Sequence, residues 1–424
     1  MDSHAAIVGA QLRSAREAAG MSLAALAAQI HYGKSVLGYY ETGQRTPTAE
    51  VIAQYEKCFG RIQHPVAALL NLGKADVERR AFLRVGYSAA LSASALRWDG
   101  PRQLVGDPRN ENRLRQVGAA DVAAVRDVSL VFSQIDQRLG GGHGRTAVVQ
   151  YLTNEVVAYL SGQFANDGVR RQMFSAAAEM TYLAGWMAFD NDEHAVAQRY
   201  FGAATRLAAE AEDAPLAGHV LRAMAHQAID LGHPEQGLQL AEASVSGERY
   251  LAACPRERAL LKVVHAKALS AAGRASESAK ALLVAEQDLA SVDREDSEPA
   301  RVFFFSEASL AHETACALRD VGDLPGAAEQ FQLSVRKRKA GAFTRTHAVT
   351  LGYLGSVQAR RGELEHACAT WQDALDAMGA VRSGRTRSIA RDIRSHLAPQ
   401  LHRAVSGARE ADEQAAQYLA ETAS

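Results

Sequence analysis

Apolar positions recur every three to four residues along most of the chain, the spacing of helices that bury one face. Near the start, Ile7, Leu12, Ala15 and Ala19 predict a first helix, ended by Gly20. Ser22 is placed to cap a second helix carrying Leu23, Leu26, Ala27 and Ile30. His31-Tyr32-Gly33 reads as a turn, and Lys34 to Glu41 as a third helix closed by Thr42-Gly43. Thr46-Pro47 caps and opens a fourth, with Val51, Ile52, Tyr55 and Phe59 as its buried stripe. Two short helices joined by a three-residue turn can lay the second across the major groove of double-stranded DNA.

Residues 76–118 are basic and poorly patterned. Glu78 to Arg84 followed by Val85–Leu96 has the outline of a twin-arginine export signal, but its place inside the chain makes it a basic connecting helix. A new helix is predicted over Ala119–Leu139, and Gly140-Gly141-Gly142-His143-Gly144 as a flexible loop without the lysine of a phosphate-binding loop. Beyond residue 170 an internal period emerges. Turn residues fall at Asn191, Gly232, Gly273, Gly322 and Gly362, spaced 41, 41, 49 and 40. Seven residues before each turn stand Ala184, Ala225, Ala266, Ala315 and Gly355, and five after come Val196, Gly237, Ser278, Ala327 and Ala367. Nine after come Tyr200, Ala241, Leu282, Phe331 and Trp371, and twelve after Ala203, Ser244, Ala285, Ser334 and Ala374. Small residues let paired helices approach closely, and the larger position fills the groove toward the next pair.

Composition narrows the class. Aromatic residues are 6% of the chain, and the periodic stretches are written in Ala, Leu, Glu, Gln and Arg, which favours helix over strand. Net charge is −1, so no bulk positive field marks a nucleic-acid binder, and such a role needs a local patch. Residues 1–75 hold seven bases against five acids, a modest excess that calls for two copies on DNA. Cys58, Cys254, Cys316 and Cys368 form no CxxC pair, as a reducing cytoplasm allows. No signal peptide, membrane span, metal-ligand cluster, cofactor fingerprint or catalytic constellation is legible, so neither an enzyme nor a membrane protein is expected.

The run Leu26-Ala27-Ala28-Gln29-Ile30, with Lys34 to Tyr40 and Glu41-Thr42-Gly43-Gln44-Arg45-Thr46-Pro47, resembles the XRE-type (phage-repressor-like) helix-turn-helix, whose motif reads roughly LAxxxGxSxxxIxxxExGxRxP. The resemblance makes Lys34, Ser35 and Tyr39 the residues that reach base edges, with Gly38 in a neighbouring slot and Arg45 as a phosphate clamp. Where relatives open the second helix with Gln this chain has Leu23, and the Ser22 hydroxyl and the helix N-terminal amides are expected to replace that phosphate contact. Glu41 is expected to brace the helix terminus or Arg45. The periodic part resembles the tetratricopeptide pattern, clearest at Gly322 to Phe331 and Gly362 to Trp371. The order of parts is similar to a family of actinobacterial regulators, which implies roles in development, antibiotic production or cell-cell signalling (quorum sensing).

The expected fold class is all-α: a helix-turn-helix bundle (1–75), a linker (76–118), a tetratricopeptide-like α-solenoid (119–404) and a C-terminal helix or tail (405–424). Projected repeat geometry turns Arg222, His226, Lys267, His312, Arg319 and Ser356 inward, a lining suited to an anionic peptide or small-molecule effector. The alternative for these residues is a solvated face paired to acids of neighbouring helices. The expected function is a homodimeric cytoplasmic transcription regulator on a near-palindromic operator. Its rivals are a scaffold for a partner protein, with DNA binding secondary, and a repressor that needs no ligand.

Overall fold

The computed structural model describes residues 9–422 except 10, 11, 14, 18, 46, 60–64, 79–114, 294–297 and 401–404. Ile7, the twin-arginine stretch and most of the linker therefore lie outside the described residues. Among the described residues the chain is all-α, apart from a two-residue parallel pairing of β1 (Gln116–Val117) with β2 (Gln163–Phe164).

The head starts with α1, helical where described between residues 9 and 17, and ends it at Gly20 with φ +66°. Then follow α2 (Leu23–Gln29), α3 (Lys34–Glu41) and α4 (Ala49–Phe59). Ser22 Oγ accepts the Ala25 amide at 3.1 Å and caps α2, as the sequence predicts. The fourth helix opens later than predicted, at Ala49, because the Thr48 hydroxyl takes the Val51 amide at 3.3 Å. Leu12, Leu26, Leu37, Val51 and Tyr55 close a small core of their own.

Next in the chain, α5 (Pro65–Glu78) buries Val66, Leu69, Leu70 and Leu72 in a different core, that of the repeat body. The body opens with α6 (Ala119–Leu139), at the predicted bounds, and α7 (Gly141–Tyr151), which continues through a π-helical turn into α8 (Val157–Leu160). The predicted Gly140–Gly144 loop is thus mostly helix. Its glycines permit contact rather than flexibility: a Cβ on Gly140 would sit 2.4 Å from the Arg382 carbonyl, and one on Gly141 2.2 Å from that of Met187.

Helix hairpins follow: α9 (Asp167–Asp190) with α10 (His194–Glu210), then α11 (Ala214–Asp230) with α12 (Pro234–Ser244). After the short α13 (Glu248–Leu251) come α14 (Pro255–Ala271) with α15 (Ala275–Ala290), α16 (Glu307–Asp320) with α17 (Leu324–Lys337), and α18 (Thr344–Arg360) with α19 (Leu364–Met378). Every small and large repeat position read from the sequence is buried. Gly232, Gly273, Gly322 and Gly362 take positive φ at the turns, whereas in the first hairpin that role passes from Asn191 to Asp192 (φ +66°). The C-terminus is no loose tail. Helices α20 (Gly384–Leu397) and α21 (Ala408–Glu421) make a last hairpin, and Ala411, Ala415 and Tyr418 are buried against α19 and α20.

The solenoid closes on itself. Arg345 on α18 reaches Asp136 on α6 at 2.9 Å and Asp190 at the end of α9 at 2.6 Å. The Arg382 amide also donates to Leu139 O at 2.8 Å. These contacts bring late repeats against the opening helices and turn the concave side into a chamber.

Candidate nucleic-acid interface and repeat-body cavity

Helical spacing divides α3 into two faces. Leu37 and Tyr40 point into the head, while Lys34 and Ser35 are exposed and Tyr39 is 50% exposed. Gly38 is half-buried, with the Leu23 side chain 3.7 Å from where its Cβ would be. Arg45 is exposed in the following loop, and its amide donates to Tyr39 O at 3.1 Å, folding the loop back over the helix end. Ser22 is exposed, its hydroxyl engaged in the α2 cap.

Of the two expectations for Glu41, it does not meet Arg45 but braces the end of α3 against the head's core. It is buried and takes Arg16 through two hydrogen bonds, from Nε at 2.8 Å and Nη2 at 2.7 Å, and the Tyr55 hydroxyl at 2.9 Å. The bond to Glu41 raises Arg16 above its ordinary pKa, while burial and then Glu41 raise Tyr55. This knot ties α1, α3 and α4 together and fixes the angle of the exposed face of α3. The turn before α3 carries strain: His31, at the glycine position of the quoted motif, has φ +57°.

From the end of the head, α5 runs to a clamp on the body. Arg145 donates to both oxygens of Asp76 at 2.7 and 2.6 Å and to Glu193 at 2.5 Å, and Tyr200 adds a bond to Asp76 at 2.9 Å. Asp76 and Arg145 are both buried.

Inside the chamber is a cavity of about 110 Å³, lined from α6, α9, α11, α14, α16, the end of α17, α18, α20 and the segment around Phe303. Of the six residues projected inward, Arg222, His226 and His312 line it. Lys267 lies outside the lining, bonded to His226 Nδ1 at 2.9 Å and Asp230 at 3.2 Å. Arg319 pairs with its neighbour Asp320 at 2.8 Å, and Ser356 donates to Gly352 O at 3.1 Å. Of these three only Lys267 meets an acid of a neighbouring helix, and it does so buried rather than on a solvated face. Burial first, then Lys267, pulls His226 down to about 3, and burial pulls His219 to about 4, so both are neutral at pH 7.

The repeat register gave no sign of Trp186, Arg301, Phe303, Phe304, Arg338 and Arg345, which also line the cavity. The run Phe303-Phe304-Phe305, in an otherwise aromatic-poor chain, was the available signal. Among the described residues no cluster of metal-ligating side chains occurs. No described helix is long and apolar enough to cross a membrane.

No curated protein and no solved structure compared with the chain matches it. Residues 7–81 match the model of a helix-turn-helix domain family, a span that takes in the head and α5 together. The exposed face of α3 is thus the second helix of a helix-turn-helix, and the chain carries at its N-terminus a domain of the kind that DNA-binding regulators use.

Proposed function

We propose that the protein is a homodimeric, sequence-specific transcription regulator. Its two heads insert α3 into major grooves about 34 Å apart on a near-palindromic operator. The observation that carries this reading is the division of α3 itself. Glu41 and Arg16 neutralise each other inside the head, leaving Lys34, Ser35 and Tyr39 exposed without a structural task. Lys34 and Tyr39 reach base edges, Arg45 and the N-terminus of α2 at Ser22 hold phosphates, and the absent side chain at Gly38 lets the backbone come close.

The repeat body is proposed to sense an effector and alter operator affinity through α5. That helix belongs to the head by sequence and to the body by packing, so a shift at the Asp76 clamp changes how the heads are held. Coupling of this kind is typically about 1–3 kcal/mol. The resemblance points to development, antibiotic production or cell-cell signalling in the cytoplasm as the setting, and no catalysis is proposed.

The test is selection of bound fragments from random DNA, then footprinting. Lys34→Ala and Tyr39→Ala should each cost on the order of 1–3 kcal/mol on the selected site and relax its sequence preference. Binding of both variants equal to the wild type would remove α3 from the interface.

A further inference from the structure

Most charges at the cavity already have partners. Arg345 takes Asp136 and Asp190, and Arg301 takes Glu257 at 2.8 Å and Glu179 at 3.0 Å. Glu313 lies 3.8 Å from Lys267. Two buried lining cations are different, whereas Arg126, also without an ion pair among the described residues, is only half-buried. Arg222 is 3% exposed, donates to the Tyr182 hydroxyl at 2.7 Å, lies over Trp186 at 5.4 Å from the ring centroid, and leaves Nε without a partner. Arg338 is 9% exposed and donates to Ala308 O and the Ser334 hydroxyl, both at 3.0 Å. Among the described residues neither forms an ion pair with a carboxylate. Burial draws Arg338 down to about 10, so it keeps its charge at neutral pH in surroundings that disfavour it. A buried cation without an anion is costly, and both of these border empty space.

Resting on the reading of the body as an effector domain, we infer that this cavity binds a small organic carboxylate with a ring-bearing apolar body, its charge held by Arg222 and Arg338. A guanidinium matches a planar carboxylate through paired hydrogen bonds. Trp186, Phe303 and Phe304 supply flat apolar walls, with the neutral His226 ring stacked on Trp186 at 6.0 Å between centroids. The occupant is small rather than an extended peptide, because the Arg345 bridges close the concave side where a peptide would have to run through.

Titration of the full chain with phenylacetate, 2-naphthoate and anthracene-2-carboxylate to millimolar concentration, followed by Trp fluorescence and thermal shift, tests this. Each acid is paired with its primary amide. At least one acid should bind ten times more tightly than its amide, and Arg222→Met or Arg338→Met should abolish that preference. Without ligand, both variants should melt no lower than the wild type, whereas Arg345→Met, which strands Asp136 and Asp190, should melt lower. Absence of binding by all three acids, an amide bound as well as its acid, or a preference that survives both substitutions would overturn the inference. Operator binding measured with and without the acid separates the two proposals. An acid that binds without moving operator affinity leaves the ligand class standing and removes the sensing role. Operator affinity that responds to culture extract while no acid binds does the reverse.

Discussion

The head and the repeat body both bury arginine, and they treat it differently. In the head, Arg16 enters the core with its counter-charge: Glu41 meets it with two hydrogen bonds and Tyr55 completes the set. In the body, Arg345 and Arg301 are matched in the same way, but Arg222 and Arg338 are buried beside empty space with no ion pair among the described residues. A matched buried pair fixes geometry, because each partner can be satisfied in only one arrangement. An unmatched one costs stability that a bound anion would return. The buried charge of the head thus fixes α3, whereas the body leaves two buried cations unmatched by any described carboxylate.

The largest effect expected from this contrast is in the head. Glu41→Ala leaves Arg16 buried without an anion and should cost about 3–5 kcal/mol. The loss should be local, because among the described residues the head closes its own core while α5 is buried in that of the body. Native-state hydrogen exchange reads this directly: amides of α2 to α4 should lose protection, and those of α16 to α19 should keep theirs. Equal loss in both regions would show the two cores to be one cooperative unit.

Acid should act on the body through two opposed titrations. Burial draws His219 to about 4, and Glu257, held near 2 mainly by Arg301 against its own burial, accepts the imidazole at 3.0 Å. A depressed histidine means that the unfolded chain binds the extra proton. Its contribution is complete above pH 6.5 and is lost, by about 3 kcal/mol, as pH falls to 4. Asp136 runs the other way. Burial, countered by Arg345, raises it to about 7, so the folded chain binds a proton first and gains stability as pH falls from 7 toward 4. Urea unfolding followed by Trp fluorescence should show His219→Gln with less acid loss than the wild type between pH 6.5 and 4, and Asp136→Asn with more. Identical pH slopes in all three proteins would place the acid response elsewhere.

How far the sequence could be read follows from the same contrast. Positions set by helix periodicity were legible: the buried faces of α2 to α4, the bounds of α6, and the repeat register from Ala184 to Ala374. A small residue every forty or so positions constrains its neighbours in sequence and space alike. Long-range pairing was not legible. Glu41 finds Arg16 across 25 residues and Arg345 finds Asp136 across 209, and no local pattern says which acid a given arginine will meet. The cavity suffered most, since Arg338 and Phe303 lie outside the repeat register. The Gly140–Gly144 run misled for a related reason: its glycines answer to Arg382 and Met187, far along the chain.

The smallest effect sharpens the contrast at the level of single turns. Inside four of its hairpins the body places glycine where the backbone turns left-handed, at Gly232, Gly273, Gly322 and Gly362, while Asp192 and Glu212 take the same region with a side chain. The head, between α2 and α3, uses His31 at φ +57°. For a residue with a Cβ this conformation costs roughly 1–2 kcal/mol; glycine relieves that strain but loses part of the gain because its unfolded chain is freer. His31→Gly should therefore stabilise the head by about 1 kcal/mol, read as slower exchange of the α2 and α3 amides with no change in α16 to α19. Because the imidazole is exposed at the mouth of the turn, operator affinity decides what the strain is for. Unchanged affinity makes His31 a tolerated defect, whereas a fall in affinity beside the gain in stability makes the imidazole a DNA contact held in place at the head's expense. A variant that gains no protection would mean that neighbours in the turn already compensate the left-handed geometry at His31.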